Sequence, residues 1–541
     1  MTQTPTPATA PASTSGEQPT ANLGARSSAL LAGASGIVSS AATLATAEVV
    51  SLFLGGIGNP ILGVGALLID LAPPALKKVM IDLFDTADKL VLFILMGAVV
   101  IVFAVVAGIL ESRRPPLGVI ALGVVAAVAI LASVTRADAT PMAALPTIAG
   151  AVVGIVVLRV LIDRLGSWRF AKPRRASAAF GTGIRFERRS FLTAAISVGV
   201  VSAVVGAGAR FVSAAARVVS EVREGIRLPT ATTPGPAIAT AATLDVPGIS
   251  PFITPNEDFY RIDTALQVPS VDPATWTLKI TGMVENDIEI GFDELLALPL
   301  QESIVTLACV SNEVGGSLVG NALWLGYPIR DLLARAVPMA GADMVLSTGI
   351  DGFTASTPLD VLQDTATDAL LAVGMNGEPL PLDHGFPVRM VVPGLYGYVS
   401  ATKWVTTLEV TRFADKMGYW TSRGWTARGP IKISSRIDTP RDGFGADAGR
   451  VMLAGVAWAQ HTGISRVEVR IDDGPWQEAT LAAAVTADSW LQWSHAWDAP
   501  QGFHEVTVRA TDSDGLVQTS DEAPPAPDGS TGLHRIGIDI R

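Results

Sequence analysis

A chain of 541 residues with 49% hydrophobic and 16% charged residues, and a mean hydropathy of +0.42, is too apolar to be wholly soluble, so membrane and water-soluble parts are both expected. A formal net charge of −11, with no basic stripe outside one short loop, argues against nucleic acid as a partner. The single cysteine excludes internal disulfides, and five histidines that begin only at His384 exclude a bis-histidine haem among the apolar segments.

Residues 1–26 are rich in Thr, Pro, Ala and Ser and are expected to be disordered. A membrane domain follows over 27–210. Five stretches, 28–54, 90–110, 116–135, 143–162 and 191–208, approach the roughly 20 residues that a spanning helix needs, which predicts about five transmembrane helices. The segment from Gly55 to Lys89 mixes apolar residues with Asp70, Lys77, Lys78, Asp82 and Asp85 and reads as amphipathic or re-entrant. Arg113-Arg114 and the cluster from Arg164 to Arg189 mark two inside loops, so the fifth helix must exit. Everything beyond about 210 is then expected outside the cytoplasmic membrane. Glu187-Arg188-Arg189-Ser190-Phe191-Leu192 resembles a twin-arginine export signal, and reads equally well as a positive-inside cluster. Export in the folded state would suit a domain that takes up a large cofactor in the cytoplasm. Few charges lie inside the spans, which favours an anchor or a docking surface for another membrane protein over a proton relay.

Residues 211–245 are Ala/Thr/Pro-rich and read as a linker. The span 246–415 alternates strands and helices irregularly, as an α+β domain does. Trp276–Gly282 alternates like a strand, Phe292–Leu298 is a helix stopped by Pro299, and Trp324–Leu333 is a turn opening an amphipathic helix. Over 430–541 the runs Arg466–Ile471 and His504–Ala510, joined by Asp-Gly turns, predict a β-sandwich filled by Trp458, Trp476, Trp490, Trp493 and Trp497.

Cys309 ends the apolar run Ser303–Ala308 and precedes the turn Ser311–Gly316. One thiolate cannot build a structural zinc or iron–sulfur site, yet it suffices for a metal whose other ligands come from a cofactor. Taken alone, a free cysteine is more often a small buried hydrophobe. Leu307-Ala308-Cys309-Val310-Ser311-Asn312-Glu313, Trp324–Leu333, the long string Met375–Gly394 and Lys403-Trp404 together resemble the sulfite oxidase family of molybdopterin enzymes over roughly 250–541.

The resemblance implies molybdenum on one pterin with Cys309 as its one protein ligand, and Tyr260, Arg261, Asp263, Thr264, Asp351, His384, Arg389, Ala401, Thr402 and Lys403 around the cofactor. The pterin phosphate calls for cationic and backbone donors, and Gly394 and Gly397 would let the backbone approach a bound ring. Arg261 and Tyr419 are the candidate substrate-side groups. The resemblance, which leaves the membrane portion untouched, further implies an oxygen-atom-transfer enzyme acting on a small substrate and an immunoglobulin-like C-terminal domain that can form a homodimer; the apolar segments add a membrane anchor, and with no haem, flavin or iron–sulfur motif visible the electron carrier is expected to be a separate cytochrome or membrane protein. One departure stands out: sulfite oxidases read Phe-x-Arg-Asn-His where this chain has Ile262, Asp263 and Thr264, with Arg261 one place earlier. Sulfoxide-type reduction, or a cofactor-free scaffold that keeps the fold, are the competing readings.

Overall fold

The computed structural model describes residues 25–54, 58–73, 83, 88–135, 141–170, 189, 192–193, 195–199, 212–265 and 268–541. The chain divides into two compact units, Met1–Val212 and Ser213–Arg541.

The first unit is helical: α1 (Ala25–Phe53), α2 (Pro60–Leu71), α3 (Asp88–Arg113), α4 (Leu117–Val134) and α5 (Leu145–Phe170). Four spans, Arg26–Ser51, Val91–Arg113, Leu117–Val134 and Pro141–Trp168, are long and apolar enough to cross a membrane. Ile94, Val102, Val124, Val152 and Val156 are each more than half exposed, a surface that water disfavours and lipid accepts. The fifth expected span, 191–208, lies largely outside the described residues, as do residues 1–24. Small residues let α1 meet its neighbours closely. Gly36 lies against the Ala104 carbonyl of α3, where any side chain would collide with backbone, and Ser39 donates to the Gly154 carbonyl of α5 at 2.7 Å. Glu111 accepts from the Val119 N–H at 3.0 Å and so caps α4. Within 55–89, helix α2 starts at an Asn59 cap whose side chain accepts from the Ile61 and Leu62 N–H groups.

The second unit opens with α6 (Val212–Gly225), inside the stretch expected to be a linker. This part of the chain is packed, not free. Val219 is buried beside Phe386 and Leu380, Arg223 donates to the carbonyls of Leu380 (2.8 Å) and Pro379 (2.7 Å), and the Thr232 N–H donates to the Leu300 carbonyl at 2.8 Å. Composition alone hides such docking, because these contacts run through backbone carbonyls far away in sequence.

Two sheets build the α+β part. The first has the order β2-β1-β10-β5-β6, from β1 (Thr277–Gly282), β2 (Ile288–Gly291), β5 (Met344–Gly349), β6 (Thr354–Pro358) and β10 (Val405–Thr411). The second has the order β3-β4-β7-β8, with β9 also on β7: β3 (Gln301–Ala308), β4 (Val319–Pro328), β7 (Leu370–Met375), β8 (Glu378–Pro379) and β9 (Arg389–Val391). β1 and β10 pair in parallel, and the pairs of the second sheet are antiparallel. β3, β7 and β9 are buried almost throughout, as near-continuous apolar strands are.

Beyond residue 430 two further sheets enclose one core. One runs β11-β13-β17-β16 and the other β12-β19-β18-β14-β15, from β11 (Ser434–Thr439), β12 (Phe444–Ala446), β13 (Gly449–Trp458), β14 (Ile464–Ile471), β15 (Gln477–Glu478), β16 (Thr480–Leu481), β17 (Leu491–Ala499), β18 (Gly502–Asp512) and β19 (His534–Ile540). Of the five tryptophans expected inside, Trp493 and Trp497 fill this core. Trp458 and Trp490 join the core of the preceding domain instead, and Trp476 lies half-buried under the guanidinium groups of Arg470 and Arg509. A tryptophan at a domain boundary can bury its ring in either neighbour, and alternation does not tell them apart.

Candidate functional site

The register Ala308↔Val319 leaves Cys309 as the first residue of the loop that joins β3 to β4. That loop is held at both ends. The Cys309 N–H donates to the Leu318 carbonyl at 2.9 Å, and the Asn312 N–H donates to the Cys309 carbonyl at 3.0 Å. The C-terminal domain braces it from outside: Ser530 Oγ donates to the Asn312 carbonyl (2.6 Å), Arg436 to the Gly316 carbonyl (2.8 Å), and the His534 ring lies against Gly315. Cys309 is thereby fixed, half-buried, on the wall of a cavity that holds about 870 Å³ of empty space, part of it open to solvent.

Tyr260, Asp263, Thr264, Asp351, Arg389, Ala401 and Lys403 line the same cavity, joined by Ile262 and Gly397. Residues from β9, the loop before β10 and the turn after β5 are thus brought to one place by the two sheets. Lys403 Nζ sits 3.2 Å from Asp263 Oδ2 and donates to the Asp383 carbonyl at 2.8 Å. Burial, only partly offset by Asp263, lowers the Lys403 ammonium to about 8. The Arg389 guanidinium is 4% exposed, faces the Trp324 ring at 5.1 Å and donates to the His384 carbonyl at 3.1 Å. Burial lowers it to about 10, and among the described residues it has no carboxylate within salt-bridge distance. Burial also raises the Cys309 thiol, against hydrogen bonds from Ser311, and raises the Tyr260 phenol, with Cys309 adding to the effect.

Four expected site residues stand back from the wall. His384 is buried behind it, Nε2 at 3.1 Å from the Asn256 carbonyl and its ring edge-on to Phe259; its Nδ1 is buried without a hydrogen-bond partner, and burial lowers the imidazole to about 4. Thr402 is fully buried, its hydroxyl 2.7 Å from that of Ser347, while its carbonyl accepts from the Met390 N–H at 2.9 Å. Tyr419 packs against Phe353 and Trp420, which do line the cavity, with the Arg423 guanidinium 3.5 Å from its ring centre. Arg261 points to Asp263 at 3.2 Å and is about one-third exposed. Gly394 likewise lies elsewhere: φ of +80° and the adjacent His461 ring demand a glycine there, and its N–H donates to Gln460 Oε1.

Sequence reading missed the aromatic side of the cavity: Phe353, Tyr398, Trp404, Trp420 and Trp425. The density of rings between 396 and 425 was the available signal, but packing is the commoner fate of such residues. Ser311, the hydrogen-bond partner of Cys309, was likewise passed over as part of a turn.

The arrangement fits a flat polar ligand that carries both a metal and an anion. A thiol raised by burial is a thiolate at neutral pH only if a cation takes the proton's place, and Arg389 is a buried cation with no carboxylate in salt-bridge reach among the described residues.

The family described as the oxidoreductase molybdopterin binding domain matches residues 265–420. Over 321 residues the chain is 31% identical to mitochondrial sulfite oxidase of Rattus norvegicus, covering 50% of this chain and 58% of that protein. Over 158 residues it is 34% identical to the uncharacterized oxidoreductase YuiH of Bacillus subtilis, covering 29% of this chain and 76% of that one. The sulfane dehydrogenase SoxCD of Paracoccus pantotrophus aligns with a TM-score of 0.47 at 22% identity, over 56% of this chain and 86% of that one.

Proposed function

Because the chain belongs to the sulfite oxidase family of molybdopterin-dependent oxidoreductases, we propose that it is a membrane-anchored oxygen-atom-transfer enzyme in which Cys309 is the one protein ligand of molybdenum. The observation that carries this reading is the half-buried Cys309 thiol on a cavity wall shared with the buried cations Arg389 and Lys403. The chain spans 58% of the length of the rat sulfite oxidase, so substrate, partner and direction of flux are part of the proposal.

When bound, the molybdenum–pterin group supplies two-electron oxygen-atom transfer to or from a sulfur centre. The chain does the holding. Cys309 Sγ takes the metal as thiolate, its loop pinned by Ser530, Arg436 and His534. Arg389 would meet the anionic end, while Lys403, paired with Asp263, and the backbone at Gly397 and Ala401 would complete the lining around the group. The unpartnered Nδ1 of buried His384 becomes satisfied if a ligand polar atom or a bridging water reaches it. With its phenol held protonated, Tyr260 can donate a hydrogen bond beside Cys309 but cannot serve as a base.

The four apolar helices of the first unit support an anchor, and the arginine-rich loops support a catalytic part outside the cytoplasmic membrane. In this reading the enzyme exchanges electrons with a separate cytochrome or membrane protein. An immunoglobulin-like domain over 430–541 provides a surface for a homodimer. Full-length protein made in a cofactor-competent host should carry about one molybdenum per chain by elemental analysis, and Cys309→Ser should lose it. Metal-free wild-type protein from that host would favour the scaffold reading.

A further inference from the structure

The walls around Cys309 are balanced in charge. Two cations, Arg389 and Lys403, stand with two carboxylates, Asp263 and Asp351. Lys403 is committed to Asp263 at 3.2 Å, which leaves Arg389 to meet an anionic cofactor. Among the described residues no further cationic side chain is on the lining: Arg261 stands outside it, held by Asp263 at 3.2 Å, and Ile262 presents an aliphatic surface there. A second anion entering this low-dielectric space would meet the cofactor's negative charge with no cation in reserve. Aromatic rings share the lining. Trp425 meets Trp420 at 6.4 Å between ring centres and Tyr398 at 5.9 Å, and both tryptophans are only partly covered by protein.

We propose, resting on the enzyme reading above, that the substrate is an uncharged organosulfur compound whose apolar, preferably aromatic, body packs against Trp420 and Trp425, and that sulfur oxyanions such as sulfite are rejected. Charge balance performs the exclusion; the indole faces perform the selection, since a buried phenyl ring contributes both area and ring–ring contact.

The test is calorimetric titration of the full-length protein in detergent, against a detergent blank, with methyl phenyl sulfoxide, dimethyl sulfoxide and sulfite. Methyl phenyl sulfoxide should bind at least about tenfold more tightly than dimethyl sulfoxide. Trp420→Ala and Trp425→Ala should each erode that preference severalfold, and sulfite should bind measurably only to Ile262→Arg. In the turnover arm, one sulfoxide takes two electrons from two reduced viologens and two protons, giving sulfide and water, with the same order of preference. Tighter binding of sulfite than of either sulfoxide by the wild type, or a phenyl preference unchanged in both tryptophan variants, overturns the inference. Should a tryptophan variant fail to fold, gain or absence of sulfite binding in Ile262→Arg decides alone. Titration needs no turnover: protein lacking molybdenum would sink the enzyme reading, and the preference for methyl phenyl over dimethyl sulfoxide, which needs only the two indoles, would then decide this one.

Discussion

The ammonium of Lys403 lies 3.2 Å from Oδ2 of Asp263, and each side chain is less than a tenth exposed. Asp263 also accepts from Arg261 at 3.2 Å, so one buried carboxylate serves an inner and an outer cation. Breaking such a pair leaves the inner charge stranded. Asp263→Asn should destabilise cofactor-free protein by about 3 kcal/mol at pH 7. The loss should shrink at pH 10, because Lys403, lowered to about 8, is then neutral in the folded state. Chemical denaturation of both proteins at the two pH values checks this.

Lys403 itself makes stability depend on pH in a definite direction. Its folded value of about 8 is below the ordinary 10.5, so between these values the unfolded chain binds more protons and stability rises with pH. Lys403→Met should lower the slope of stability against pH in that window by up to one proton. An identical slope in both proteins would contradict the burial of a charged ammonium.

His384 titrates on the acid side. Its imidazole is lowered to about 4 from 6.5, so the unfolded chain takes up a proton that the folded chain refuses as pH falls from 6.5 towards 4. Stability is lost over that interval, and His384→Gln should lose less of it than the wild type. Unfolding midpoints at pH 4.5 and 7 for the two proteins measure the difference.

With its thiol raised by burial, Cys309 should be alkylated slowly by iodoacetamide at pH 7 in cofactor-free protein, and progressively faster as pH climbs past the ordinary thiol range. The chain has no other cysteine, so label incorporation by mass spectrometry reports this site alone.

Thr306, three residues before Cys309, ties the two halves of the second unit together. Its hydroxyl donates to Asn321 Oδ1 (3.0 Å) and accepts from the Trp490 N–H (2.7 Å), while the Trp490 indole and the Asn321 amide both donate to the Phe252 carbonyl at 2.8 Å. Thr306→Val keeps the shape and strands two buried polar groups, which should cost about 2–3 kcal/mol. Denaturation with both domains still unfolding in one transition is the expected result; two separate transitions would show that the domains are independent.

Residue type and order determined a good deal. Four apolar runs between Arg26 and Trp168 are long enough to cross a bilayer, and a helix is the way such a run satisfies its backbone in lipid. The string around His384 and Arg389, with Cys309 at a strand end, was enough for the family, because local chemistry at fixed spacing is written in the chain itself. Tertiary structure decided the rest. That α6 and the Thr232 region dock on the α+β domain, that Trp490 belongs to its core, that Asp263 pairs with Lys403 and that Trp420 and Trp425 share a cavity with Cys309 all bring together residues far apart in sequence. Periodicity shows which face of an element is apolar, while the partner that covers it is chosen by how the sheets stack, and no single segment encodes that.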